Sequence, residues 1–120
     1  MIQDKKLKES IGKLEEALKY HDEALVNDLY FDAIIKRFEV CFEYAWKHLK
    51  RIVSEAGQEV YSPRDTLKEA TKLKLIQNLE LWLDFLEDRN LSVHDYLGAD
   101  EASYLKDIKK FVKEVAKLVK

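Results

Sequence analysis

The stretch F-D-A-I-I-K-R-F-E-V-C-F-E-Y-A-W-K-H-L-K, residues Phe31–Lys50, decides the fold. Its apolar residues return at steps of four and three, which puts them on one face of an α-helix. The pattern continues on both sides, so we predict a helix from about Asp28 to Ala56, ended by Gly57. The apolar face comprises Phe31, Ile35, Phe38, Phe42, Ala45, Leu49, Ile52 and Ala56. So wide a face predicts a central helix that contacts two neighbours.

Four further amphipathic segments surround this central helix in the sequence. We predict helices over approximately residues 4–25, 63–75, from 79 onward, and 101–120. The clearest boundary is Ser62-Pro63, because serine caps a helix N-terminus and proline fits its first position. Three glycines and one proline in 120 residues leave few places to turn. The sequence therefore predicts an all-α bundle of four to five helices, forming a single domain over residues 1–120.

Composition narrows the functional classes. A formal net charge of −2 argues against a protein that coats nucleic acid through bulk electrostatics. The single cysteine, Cys41, excludes an internal disulfide and fits a reducing compartment. The sequence has no apolar run of membrane-spanning length, and its N-terminus lacks the apolar core of a signal peptide. We expect a cytoplasmic protein without membrane contact.

The stretch D-R-N-L-S-V-H-D-Y, residues Asp88–Tyr96, carries chemistry that a helical core does not need. Arg89 is a permanent cation that can clamp a phosphate with two parallel hydrogen bonds. His94 belongs to the residue type whose ordinary pKa lies near neutrality, so it can take and give a proton. Tyr96 adds a phenol. Together these groups suit chemistry on a phosphodiester or a nucleotide.

The residues leave the geometry of this stretch open. Asn90 or Ser92 could cap a break in the helix, yet no residue there forbids its continuation. In a continuous helix, Asn90 and His94 share a face, whereas Arg89 points away from His94. Arg89 and His94 would converge best through a break in the helix, or across two copies of the chain.

Simpler interpretations apply to the other polar groups. Asp84 and Asp88 are spaced to share a metal, but no third ligand accompanies them, so we predict no metal site. His21 and His48 fit satisfied buried or interface histidines, and Cys41 fits a small buried hydrophobe. The lysines around residues 68–74 and 106–120 could steer RNA, although such runs more often form a solvated face.

Four segments resemble one known family. They are Phe31–Lys50, S-P-R-D-T-L-K-E-A (Ser62–Ala70), L-I-Q-N-L-E-L-W (Leu75–Trp82) and R-N-L-S-V-H-D-Y (Arg89–Tyr96). In order and spacing they are similar to the nucleotidyltransferase substrate-binding proteins, which are grouped with the HEPN superfamily and with the HepT toxins of HepT–MntA pairs. The resemblance covers roughly residues 5–118.

The resemblance implies an up-and-down bundle that works as a homodimer with two facing Arg-x4-His motifs, beside a minimal nucleotidyltransferase partner. Arg89 and His94 would form a metal-independent endoribonuclease site that needs no cofactor. Asn90 would be the polar residue that commonly follows the arginine. Asn90 and Tyr96 would contact the nucleotide or RNA, and Tyr96 would also accept AMP from the partner.

Three functions remain open at this stage. The chain is a ribonuclease toxin, a substrate-binding subunit that cleaves nothing, or an orphan interaction domain with a decayed site. In the purely structural alternative, Arg89 pairs with Asp84 or Asp88 while His94 and Tyr96 pack.

Overall fold

The computed structural model describes residues 2–95 and 100–119, with side chains for residues 5–93 and 100–119. The described part of the chain is built from helices, which confirms the all-α prediction. They are α1 (Ile2–Leu18), α2 (His21–Ala24), α3 (Asp28–Glu55), α4 (Pro63–Lys72), α5 (Leu79–Asp95) and α6 (Glu101–Ala116), followed by a 3₁₀ turn at Lys117–Val119. None of the helices in these ranges combines the length and apolar character needed to cross a membrane.

Helix α3 is the centre of the bundle. It packs against each of the other five helices, so its neighbours exceed the two that the sequence predicted. Its predicted apolar face is buried from Phe31 to Leu49, whereas Ile52 is only partly buried and Ala56 is exposed. These two positions lie in the last turn and at the C-cap of the helix, although Val53 in the same turn is buried.

Short polar side chains begin four of the helices. The N-cap residues Asn27, Ser62 and Asp100 each accept a hydrogen bond from a backbone N–H in the first turn of the following helix. Asn78 does the same for α5 by accepting from Leu81 N at 3.1 Å. It therefore marks a genuine break between α4 and α5.

Two helices end on residues in the left-handed conformation. Gly57, with φ of 96°, ends α3, and Gln58 N donates to Val53 O at 3.2 Å. Lys74, with φ of 63°, ends α4 in the same way, as Leu75 N donates to Ala70 O at 2.9 Å. The prediction that this helix reaches Leu75 was wrong, because a lysine rarely adopts this conformation and gave no stop signal.

The predicted first helix is divided in two. Helix α1 stops at Leu18, where Lys19 N and Tyr20 N donate to carbonyls three residues back, and α2 adds a single turn. The break lets the Tyr20 ring stack on Tyr30 of α3, with centroids 5.3 Å apart. Leu25, predicted in the buried stripe, is consequently exposed. Neither glycine nor proline marks this break.

The core is densest where aromatic rings from three helices meet. The Phe111 ring of α6 lies 5.1 Å from Phe38, 6.0 Å from Phe42, 5.8 Å from Trp82 and 5.3 Å from Phe85, measured between centroids. All five side chains are buried. We call this group the aromatic cluster. It fixes α5 and α6 against α3, and therefore positions the end of α5 that carries the candidate site.

Candidate functional site

Helix α5 runs without a break through Arg89 and Asn90 and reaches Asp95. The structure thus decides between the two geometries that the sequence left open. His94 follows Arg89 by five helical positions, so the two lie about 140° apart around the axis. The side chain of His94 and the whole of Tyr96 lie outside the described residues, while Asn90 is exposed on the surface of α5.

Arg89 crosses from α5 to α3. Its Nη2 donates to Glu43 Oε2 at 3.3 Å, and its guanidinium lies 5.6 Å from the centre of the Phe42 ring. The ion pair observed for Arg89 is therefore with Glu43, not with Asp84 or Asp88 as the structural alternative supposed. The Arg89 side chain is 23% exposed, and its Nε is buried without a hydrogen-bond partner among the described residues.

A second polar link joins the same two helices one turn away. The Ser92 hydroxyl lies 2.7 Å from Glu39 Oε2 on α3 and 2.8 Å from the Arg89 carbonyl oxygen. Of these two hydrogen bonds, the one to the Glu39 carboxylate is the stronger because its acceptor is charged. As residue numbers rise along α5, its partners' numbers fall along α3, so the two helices are antiparallel here. Together the two links fix the position and rotation of the motif-bearing end of α5.

The surface beside these links is open. A depression of about 240 Å³ is lined by Lys36, Glu39, Val40, Glu43, Arg89 and Val93. The side chains of Val40 and Val93 are 37% and 56% exposed, which is unusual for valine. We call this surface the α3–α5 groove. Its charges are mixed, because two lysine or arginine cations face two carboxylates.

Asp88, which precedes Arg89 in the sequence, forms a carboxyl pair with Asp107 of α6. Burial and the adjacent Asp107 carboxyl of α6 raise the pKa of Asp88 to about 8. The Tyr104 hydroxyl donates to the Asp88 carbonyl oxygen at 2.6 Å. Asp88 therefore stays largely protonated at neutral pH, which makes it a poor metal ligand. Across the residues that the structure describes, there is no group of three or more histidine, cysteine or acidic side chains that could hold a metal.

The remaining candidates occupy structural positions. His48 is buried and its Nδ1 lies 3.2 Å from Arg51 Nη2, so this nitrogen is the acceptor, because arginine can only donate. His21 lies at the start of α2 with its Nδ1 3.2 Å from Asp22 Oδ1. Burial raises the pKa of the Cys41 thiol to about 12, which confirms an inert core cysteine.

Sequence reasoning did not single out Glu39 and Glu43. Both carboxylates contact α5 across 53 and 46 residues of chain respectively. Their four-residue spacing placed them on one face of a helix. That spacing carried no information about which helix lies opposite.

Comparison with known proteins identifies the class to which this bundle belongs. Residues 3–120 match the model of the family described as nucleotidyltransferase substrate binding protein like, and the chain belongs to that family.

Particular relatives refine this assignment. A probable ribonuclease HepT from Haemophilus influenzae is 27% identical over 78 residues, which are 61% of this chain and 53% of that protein. The chain therefore matches about half the length of this curated relative. The substrate binding domain of a nucleotidyltransferase from H. influenzae superposes with a TM-score of 0.79 at 23% identity, covering 94% of this chain and 93% of that one.

A further solved structure is the tri-AMPylated HEPN toxin of Shewanella oneidensis in complex with its MNT antitoxin. It gives a TM-score of 0.84 at 15% identity, covering 98% of this chain and 90% of that one. Likenesses at such low identity establish the fold, which is the predicted helical bundle.

Proposed function

We propose that this chain is a HepT-like endoribonuclease whose metal-independent site forms from Arg89 and His94 at the interface of a homodimer. The observation that carries the proposal is the placement of Arg89 on an unbroken α5, beside an open groove. A single chain holds the motif's arginine and histidine about 140° apart around one helix. Two copies related by a two-fold axis can instead bring the arginine of one chain to the histidine of the other.

The chemistry requires two such chains. One His94 takes the proton of a ribose 2′-hydroxyl, whose oxygen then attacks the adjacent phosphorus. The bond from phosphorus to the 5′-oxygen breaks, and the second His94 gives that oxygen a proton. Both Arg89 guanidinium groups stabilise the negative charge that grows on the phosphoryl oxygens. The products are a 2′,3′-cyclic phosphate and a 5′-hydroxyl, so atoms and protons balance without a metal.

The proposed regulator is a minimal nucleotidyltransferase. It would transfer AMP to Tyr96, whose phenolic oxygen attacks the α-phosphorus of ATP and releases pyrophosphate. The added phosphate brings negative charge to the motif and repels RNA. The AMPylated HEPN toxin found with its MNT antitoxin supports this proposal.

The direct test is cleavage of total tRNA by the purified protein in EDTA. We expect cutting by the wild type and a loss of about 10²- to 10⁴-fold in the His94→Ala variant, the usual contribution of a general acid or base. Arg89→Ala should lose activity comparably. A control variant, Tyr61→Ala, changes an exposed aromatic residue away from the groove and should cut normally. Equal inactivity of wild type and His94→Ala would overturn the proposal.

One observation favours a second function, that of a non-catalytic substrate-binding subunit. Glu43 already neutralises Arg89, which weakens its attraction for phosphate. Growth of cells that express the chain without a nucleotidyltransferase separates the two functions. A ribonuclease should slow growth and His94→Ala should relieve the effect, whereas a binding subunit should be harmless in both forms.

A further inference from the structure

We propose that Glu43 is a positioning residue that holds the Arg89 guanidinium in the orientation in which it receives the scissile phosphate. The inference rests on the proposed ribonuclease function and adds a residue to its site. Glu43 itself touches Arg89 and not the reacting atoms, so it acts through the arginine. Its carboxylate Oε2 accepts from Arg89 Nη2 at 3.3 Å.

The contact differs from an ordinary surface ion pair because other groups restrain both of its side chains. Exposed ion pairs contribute ~0–1 kcal/mol, partly because both side chains must be ordered to form them. Here the Phe42 ring lies beneath the guanidinium, 5.6 Å from it, and the Arg89 side chain is only 23% exposed. The other carboxylate oxygen, Glu43 Oε1, lies 3.5 Å from Lys47 Nζ, which anchors the acid itself.

The backbone beneath Arg89 is restrained as well. Ser92 donates to Glu39 one turn from the Arg89–Glu43 contact, and this second link restrains the rotation of α5 against α3. A guanidinium has five N–H donors on three nitrogens. Glu43 occupies one at Nη2, and Nε is buried. A phosphate in the α3–α5 groove would therefore meet the Nη donors that remain, in a direction set by Glu43.

This arrangement makes a specific kinetic prediction. Without Glu43, Arg89 samples other rotamers, and a displacement of about 1 Å in a catalytic group can cost ~10²-fold in rate. Removing a carboxylate also lessens the repulsion of RNA. We therefore expect Glu43→Ala to lower kcat for tRNA cleavage by roughly 10- to 100-fold without raising KM. A residue that merely competes with phosphate for Arg89 would do the opposite, because its removal would raise kcat/KM.

The experiment measures initial rates against tRNA concentration in EDTA for wild type, Arg89→Ala, Glu43→Ala and Glu43→Gln. Glutamine keeps a carbonyl acceptor for Nη2, so it should restore most of the kcat lost in the alanine variant. Glu55→Ala is the matched control, because Glu55 lies on the same helix and pairs with another arginine, Arg51, at 3.6 Å. It should cut as the wild type does. Thermal unfolding of each variant separates loss of the fold from loss of positioning.

The outcomes are distinguishable. If wild type and Arg89→Ala are equally inert, the proposed function is overturned and this inference with it. If the wild type cuts, Arg89→Ala does not, and Glu43→Ala matches or exceeds the wild type, only the positioning role is overturned. A fall in kcat with unchanged KM, partly rescued by Glu43→Gln, supports it.

Discussion

The aromatic cluster and the α3–α5 groove meet at Phe42, whose ring lies 6.0 Å from Phe111 and 5.6 Å from the Arg89 guanidinium, and they are held together by different forces. In the cluster, the rings of Phe38, Trp82 and Phe85 pack edge to face on Phe111, which is an apolar contact. In the groove, Arg89 and Ser92 of α5 meet Glu43 and Glu39 of α3 through directional contacts at the edge of solvent. The comparison teaches that burial fixes where α5 lies, whereas a few polar atoms fix which way its motif points.

The largest expected effect breaks the cluster. Phe111→Ala removes the ring that contacts four others and leaves a cavity, so we expect a loss of ~3–5 kcal/mol in the free energy of unfolding. Chemical denaturation measures it. Tyr61→Ala, which truncates a side chain that is 77% exposed, should cost less than ~0.5 kcal/mol. A loss at Phe111 no larger than that at Tyr61 would contradict the packing described here.

A smaller effect on stability, which should depend on pH, is expected at the Asp88 carboxyl. The folded protein keeps a proton on Asp88 up to about pH 8, whereas the unfolded chain releases it near the ordinary carboxyl pKa of 3.8. Folding therefore binds a proton, and stability falls as the pH rises between these two values. Asparagine resembles the protonated form and lacks this loss.

Asp88→Asn should consequently match the wild type near pH 4 and exceed it at pH 8.5. We expect a gain on the order of 1–2 kcal/mol, reduced from the full shift because the carboxyl is only half-buried. Denaturation curves at pH 4.5, 6.5 and 8.5 measure the trend, with Glu80→Gln on the exposed side of α5 as the control. A stability difference that stays constant with pH would argue against a raised pKa of Asp88 in the folded protein.

The smallest effect on monomer stability tests the groove as a dimer interface. Val93→Asp places a charge on an exposed side chain and should change the free energy of unfolding by less than ~0.5 kcal/mol. It should nevertheless weaken the proposed dimer, which sedimentation velocity detects. Val26→Asp, at a valine that is 88% exposed in the turn between α2 and α3, is the matched control. If Val26→Asp dissociates the dimer and Val93→Asp does not, the dimer interface lies outside the α3–α5 groove.

The aromatic core was largely predictable, because periodicity reports directly which residues of a helix are buried. Phe31, Phe38 and Phe42 followed from spacing alone, and the Ser62 cap from the chemistry of helix N-termini. The breaks at Lys19 and Lys74 were missed, since a residue without special backbone freedom gives no local sign of a turn. Tertiary contacts decide both.

The site was predictable only in part. Arg89 could be singled out because it stands within eight residues of a histidine and a tyrosine at the end of an apolar helix, a set of groups that a helical core does not need. Its partner could not be found, because the pairing with Glu43 depends on the relative rotation of two helices that are far apart in sequence. The continuity of α5 through Ser92 was likewise open, since Asn90 and Ser92 are compatible with either a cap or a helix.

The two carboxylates on α3 have a consequence for exchanging parts between relatives of this protein. Arg89 contacts Glu43, and Ser92 contacts Glu39. The segment 89–95 therefore cannot be expected to function when it is moved alone into another protein. Grafting this segment onto a relative whose central helix carries other residues at those two positions would transfer the motif residues without the contacts that orient them. A functional chimera should need the middle of α3 and the end of α5 to come from the same parent protein.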